Sequence, residues 1–194
     1  MKKAPNRRQD EGALVARAKK GSREAFGILV ERYQRRVVSL ALAVVHNQED
    51  ALELAQEALV RAFDKLSEFE ARSSFATWLY RITYNVAIDW LRRQGRHSVV
   101  FGEEAEEEIA RLPAREDPFA AASRRELQER VKGALMELTP EHRTVILLRE
   151  VEGLSYDEIG EVLQCPKGTV MSRLHYARNR LRVILGRLTG EVRQ

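Results

Sequence analysis

The residues with the most definite chemistry in this 194-residue chain lie between Leu154 and Arg182. Ser155, Tyr156, Asp157 and Glu158 spell a capping box, in which a serine hydroxyl and a glutamate carboxylate satisfy each other's terminal N–H groups. The helix it starts runs to about Leu163, Gln164 and Cys165 make a turn, and Pro166 fits the first position of a long helix ending near Gly186. Short helix, tight turn and longer basic helix form the helix-turn-helix pattern. On a wheel with Val170 at the origin, Leu174, Ala177, Leu181, Ile184 and Leu185 share one face. The other face carries Gly168, Met171, Ser172, His175, Asn179 and Arg182, flanked by Lys167, Arg173, Tyr176, Arg178 and Arg180. Cations neutralise phosphate while side chains at the start of such a helix reach base edges, so the chemistry is that of a duplex reader. Gly168 allows close backbone approach, and the Thr169 hydroxyl can meet phosphate.

Other chemistries are poorly supplied. The single cysteine, Cys165, excludes an internal disulfide, and the four histidines form no HExxH pair, so no metal or other cofactor is expected. No carboxylate falls in an expected apolar pocket with a base or metal beside it, which argues against an enzyme. Charge is informative only once it is divided. Thirty-three basic and 29 acidic residues leave +4, but residues 1–96 carry +6, residues 97–122 carry −5 and residues 123–194 carry +3. The middle segment holds Glu103, Glu104, Glu106, Glu107 and Glu108, then Pro113 and Pro118, in the manner of a solvated linker. The expected organisation is a first domain over 11–96, an acidic linker over 97–122 and a second domain over 123–190. No run of 18 apolar residues occurs, and the basic N-terminus has no apolar stretch behind it, so a cytoplasmic chain is expected.

The elements that must position these groups are helical, and the expected fold class is all-α. Ser22 caps a helix whose stripe is Phe26, Leu29, Val30, Tyr33, Val37, Leu40, Ala41 and Val44. A second helix spans about 49–66, burying Leu54, Ala55, Ala58, Leu59, Ala62, Phe63 and Leu66. A third starts after Ser73 or Ser74 and ends near Arg93, with Phe75, Leu79, Ile82 and Val86 inward and Gly95 as its stop. Thr139, Pro140 and Glu141 give a cap, an N1 proline and an acidic first turn to a helix reaching about Glu150, which Gly153 breaks.

Four stretches, Asp50–Phe63, Ser74–Asn85, Leu138–Glu152 and Leu154–Arg178, together resemble the extracytoplasmic-function sigma factors of bacterial RNA polymerase, across nearly the whole chain. The resemblance implies a first domain for the minus-10 promoter element and a second for the minus-35 element. It implies that Asp50, Glu53, Gln56 and Glu57 dock on the clamp of the polymerase's largest subunit, and that the second-largest subunit's flap is also a partner. Trp78, Tyr80, Arg81, Tyr84 and Asn85 become candidates for capturing the non-template strand, with Arg92, Arg93 and Arg96 on phosphate. Stacking and a cationic groove suit such a strand. The minus-35 set becomes Lys167, Thr169, Met171, Ser172, Arg173, His175, Tyr176 and Arg178. Ser172 and Arg173 match family positions, whereas Met171, His175 and Tyr176 stand where relatives often carry basic residues. An anti-sigma factor is the further partner implied. A free-standing helix-turn-helix regulator is the alternative, and the Asp50–Phe63 pattern is what such a regulator would not need.

Overall fold

The computed structural model describes residues 7–95 and 124–189. Arg96, the acidic segment 97–122 and the end of the chain past residue 189 lie outside the described residues. Those that are described form eight α-helices with no strand. In the first domain these are α1 (Arg7–Lys19), α2 (Arg23–Val45), α3 (Gln48–Asp64) and α4 (Phe75–Arg93), with a short 3-10 turn at Leu66–Glu68. In the second they are α5 (Arg124–Met136), α6 (Pro140–Ile146), α7 (Tyr156–Leu163) and α8 (Lys167–Thr189).

Local chemistry sets the helix starts. Ser22, Asn47, Ser74 and Thr139 each accept a backbone N–H of the first turn through the side chain. The stripe on α2 packs on α3 and α4, burying Leu29, Tyr33, Val37, Leu40 and Val44 together with Leu54, Ala58, Leu79 and Val86. The small residues Ala51, Ala55, Ala58 and Ala62 on α3 are almost completely buried, which lets that helix approach closely. Phe63, expected inside, is 39% exposed at the domain's rim, where it meets the Phe26 ring edge-on at 5.0 Å. The sequence shows no clear stripe for α1, yet it docks on α2 through Leu14, Val15 and Ala18 and through Arg32 donating to Asp10 at 2.7 Å.

In the second domain, α6 passes into a π turn over Leu147–Val151, in which the Glu152 N–H bonds the Leu147 carbonyl at 3.1 Å. Gly153, at φ +73, ends it in a conformation that suits glycine. The capping box forms as expected: Ser155 and Glu158 each take the other's N–H. The turn after α7 is tight, and a Cβ on Gly160 would lie 2.9 Å from the Cys165 carbonyl oxygen, so glycine is required there. Pro166 stands one residue before α8 rather than inside it, its carbonyl accepting from Thr169 and Val170. Val170, Leu174, Ala177 and Ile184 are the buried face of α8.

The domains pack on each other, α4 against α7 and α2 against α6. Arg143 is the hub. Only 4% exposed, it donates to the carbonyls of Leu135, Met136 and Leu138 at the end of α5. It also crosses to the Ala43 carbonyl at 3.2 Å and His46 Nδ1 at 3.3 Å at the end of α2. With helix C-terminal dipoles instead of a carboxylate as its counter-charge, burial pulls this guanidinium down to about 10.

Candidate nucleic-acid interface

Three surfaces carry the residues singled out from sequence. On α3, Glu53 and Gln56 are exposed while Asp50 and Glu57 are half-buried. Asp50 belongs to the helix start, its N–H donating to Asn47 Oδ1, and Glu57 accepts from Arg61 one turn later at 2.5 Å. The same face carries Leu52, 45% exposed, and Val60, 61% exposed. Leu52, Gln56 and Val60 repeat every four residues, so a wheel of α3 would have placed both apolar residues on the polar face. This ridge therefore combines carboxylates and an amide with uncovered aliphatic side chains, the composition of a protein-docking edge.

On α4 the expected strand-capturing residues separate. Trp78 lies in the first domain's core, its ring 5.2 Å from that of Phe69 and 5.7 Å from that of Phe75. Tyr80, 1% exposed, turns toward the second domain and donates its phenol to Glu152. Burial and that carboxylate hold the phenol well above its ordinary range. Tyr84 sits near Arg173, Glu141 and Cys165, and burial pushes it up to about 12. The Asn85 side-chain oxygen accepts from Gln164 at 3.2 Å. Arg81 is half-buried, and Arg92 and Arg93 are exposed at the helix end, Arg92 within 3.5 Å of Asp89. Beside α4 a cleft of about 1180 Å³ opens, lined by Arg32, Arg36, Tyr33, Phe75 and the 69–76 turn and closed by Glu152 and Glu158.

On α8, Met171 is 52% exposed and Tyr176 58%, with Ser172 and His175 exposed between them. His175 bonds Asn179 at 2.9 Å and meets Tyr176 edge-on. Thr169 is half-buried, its carbonyl accepting from Ser172. The cations are not loose. Lys167 pairs with Asp157 at 2.9 Å, Arg173 with Glu141 at 2.5 Å and Arg178 with Glu150 at 2.7 Å. Carboxylates from α6, the π turn and α7 thus hold the flanks of α8, while the outward strip offers thioether, hydroxyl, imidazole and phenol. Cys165 is half-buried in the turn, its thiol pushed up by burial.

An all-helical pair of domains, the second a helix-turn-helix with its last helix laid bare, belongs to the class of nucleic-acid-reading proteins. Residues 29–97 match the model of Sigma-70 region 2 and residues 128–181 that of Sigma-70 region 4. The RNA polymerase sigma-H factor of Pseudomonas aeruginosa is 40% identical over 175 residues, covering 88% of this chain and 91% of that one. The ECF RNA polymerase sigma-E factor of Escherichia coli K12 is 41% identical over 170 residues, 85% and 88% of the two chains. Among solved structures, CnrH in complex with the cytosolic domain of CnrY has a TM-score of 0.63 at 27% identity, covering 91% of this chain and 97% of that one. The sigma factor RpoE of Bartonella quintana, in complex with the anti-sigma factor NepR, gives 0.62 at 27% identity, with 82% and 96% covered. The chain belongs to the extracytoplasmic-function sigma factors, and its function is that of a transcription initiation factor.

Proposed function

We propose that this sigma factor binds core RNA polymerase through the α3 ridge, on the clamp of the largest subunit, and through its second domain on the flap of the second-largest. Asp50, Glu53, Gln56 and Glu57 supply polar contacts there, and Leu52 and Val60 the apolar ones. In the assembled enzyme α8 reads the minus-35 element. Met171, Ser172 and His175 face base edges, Tyr176 flanks them, and Lys167, Thr169, Arg173 and Arg178 hold phosphate. The first domain takes the non-template strand at minus-10 through Tyr80, Arg81, Tyr84 and Asn85, with Arg92, Arg93 and Arg96 on its backbone. Trp78 acts from beneath, as the support of the 69–74 turn. The protein contributes binding and strand separation, not covalent chemistry. It works in the cytoplasm, and an anti-sigma factor is its natural antagonist.

The observation that carries this reading is the exposed strip Met171, Ser172, His175 and Tyr176 at the start of a helix fixed on both flanks by ion pairs. In vitro transcription with purified core polymerase and a genomic library tests it. Specific start sites are expected only when the protein is added, each preceded by a shared pair of elements; transcription that does not depend on the protein would defeat the reading.

A further inference from the structure

Helix α8 contains six basic residues and no acidic one. Such a rod would draw duplex of any sequence, since attraction to phosphate carries no base information. Three carboxylates from three other elements meet it, one to a cation: Asp157 of α7 on Lys167, Glu141 of α6 on Arg173 and Glu150 of the π turn on Arg178. These are three of the residues assigned above to phosphate. An acidic first turn suits the starts of α6 and α7, which accounts for Glu141 and Asp157 locally. Glu150 has no such reason. It stands near the end of the helical run from Pro140 to Val151, where the dipole disfavours a carboxylate, yet it takes Nε and Nη2 of Arg178 on one oxygen at 3.2 and 2.7 Å. The outward strip is bonded differently, His175 to Asn179 and Ser172 to the Thr169 carbonyl.

A tethered cation still has donors to give. Arg173 meets Glu141 through one Nη2 contact, and a guanidinium carries five N–H groups. A phosphate at the tethered position shares the cation; in any other register the cation must leave its carboxylate to follow. Leaving weakens binding by about 1.5- to 5-fold per surface pair, and the pair of Arg173 with Glu141, 23% and 21% exposed, is the firmest of the three. We propose that Glu141, Glu150 and Asp157 are specificity-determining residues of the helix-turn-helix, which confine Arg173, Arg178 and Lys167 to the phosphates of one register and so suppress binding to duplex of other sequence. The inference rests on the assignment of α8 to the minus-35 element. It adds that discrimination there comes partly from side chains that oppose the wrong duplex and touch no base.

Holoenzyme is titrated with two duplexes, one carrying the upstream element shared by its own start sites and one a random-sequence pool. The polymerase's own hold on DNA is common to every variant and cancels between them. The double variant Glu141→Gln with Glu150→Gln is compared with Glu137→Gln with Glu161→Gln, which removes the same charge from two exposed positions outside the three pairs. The first should bind the random pool about tenfold more tightly than the second, the scale of two surface ion pairs, and with a steeper salt dependence. Its affinity for the specific duplex should rise less, so the ratio of the two affinities falls. An equal rise on both duplexes, or a rise no greater than the control's, overturns the proposal. Weaker binding to both also overturns it, since the carboxylates would then only aim the cations. Should circular dichroism show that the first double variant does not fold, Asp157→Asn is read against Glu161→Gln, with the same pattern at smaller amplitude. If core polymerase gains no start sites from the wild-type protein, the minus-35 assignment fails, while the full chain's affinity for the random pool still decides whether the carboxylates restrain the cations.

Discussion

The two surfaces assigned to promoter DNA satisfy their polar groups by opposite means. On α4, Tyr80 and Asn85 bond to side chains of the other domain. On α8, Lys167, Arg173 and Arg178 bond to carboxylates of their own domain. Moving one domain away from the other thus releases Tyr80 and Asn85 on the first surface and leaves the ion pairs of the second as they are. The surface proposed to read minus-35 keeps its ion pairs in any arrangement of the two domains; the bonds of the surface proposed to capture the strand are conditional on that arrangement.

The strongest way to break the contrast is to remove the hub. Arg143→Met deletes a buried donor with five acceptors and strands carbonyls at two helix ends. Unfolding in denaturant is expected to show a loss of about 3–5 kcal/mol. A loss below about 1 kcal/mol would mean that solvent already serves those carbonyls. Next in size is the division within α8. Leu174→Ala should cost about 2–5 kcal/mol through the cavity it leaves, whereas Met171→Ala should change stability by less than about 0.5 kcal/mol and show itself only in a minus-35 footprint. A third test concerns Arg173, paired with Glu141. Arg173→Ala should weaken promoter binding by the holoenzyme and flatten its salt dependence, since one fewer phosphate is neutralised. An unchanged footprint and salt slope would remove Arg173 from the site.

Glu57→Lys belongs to neither DNA surface and sharpens the contrast from outside. It should lower co-purification with core polymerase about tenfold while costing less than about 1 kcal/mol of stability, because the Arg61 pair it breaks is at the surface. The smallest effect expected is with pH. Arg143 donates to Nδ1 of His46, so the ring is neutral with its proton on Nε2. Burial and the Arg143 charge hold His46 below its ordinary value of 6.5. A protonated ring is disfavoured while the domains are closed, so this contribution is full above pH 6.5 and fades as pH falls below it. Compactness by scattering should decline slightly between pH 7.5 and 5.5 in the wild type and less so in His46→Gln.

Much of this arrangement was legible in the sequence because each signal was local. Ser22, Ser74, Thr139 and the Ser155–Glu158 box announce helix starts within four residues, and the α2 stripe states its own period. Helices α1 and α5 were not legible, since α1 buries little beyond Leu14, Val15 and Ala18 and needs α2 to make those three a face. The roles of Trp78 and Tyr80 were unreadable for a different reason. Helix α4 is covered on two sides, by its own domain and by the other, so both residues are buried and periodicity cannot say which side each serves. Glu152 lies 72 residues from Tyr80, and no pattern within either helix announces such a bond. On α8 the exposed strip followed from the wheel, while the carboxylates that hold its cations come from three other elements and appear only in space.

The π turn at Leu147–Val151 places Glu150 against Arg178 on α8 and Glu152 against Tyr80 on α4. A π turn takes one residue more than an α turn, and one residue rotates everything that follows by about 100° around the axis. It behaves as a phase shifter in the rod, dialling two acidic residues, two positions apart, onto two different neighbours. Deleting a single residue within 147–149 would rewind both carboxylates together, uncoupling α8 and the neighbouring domain in one step without altering the chemistry of any side chain that remains.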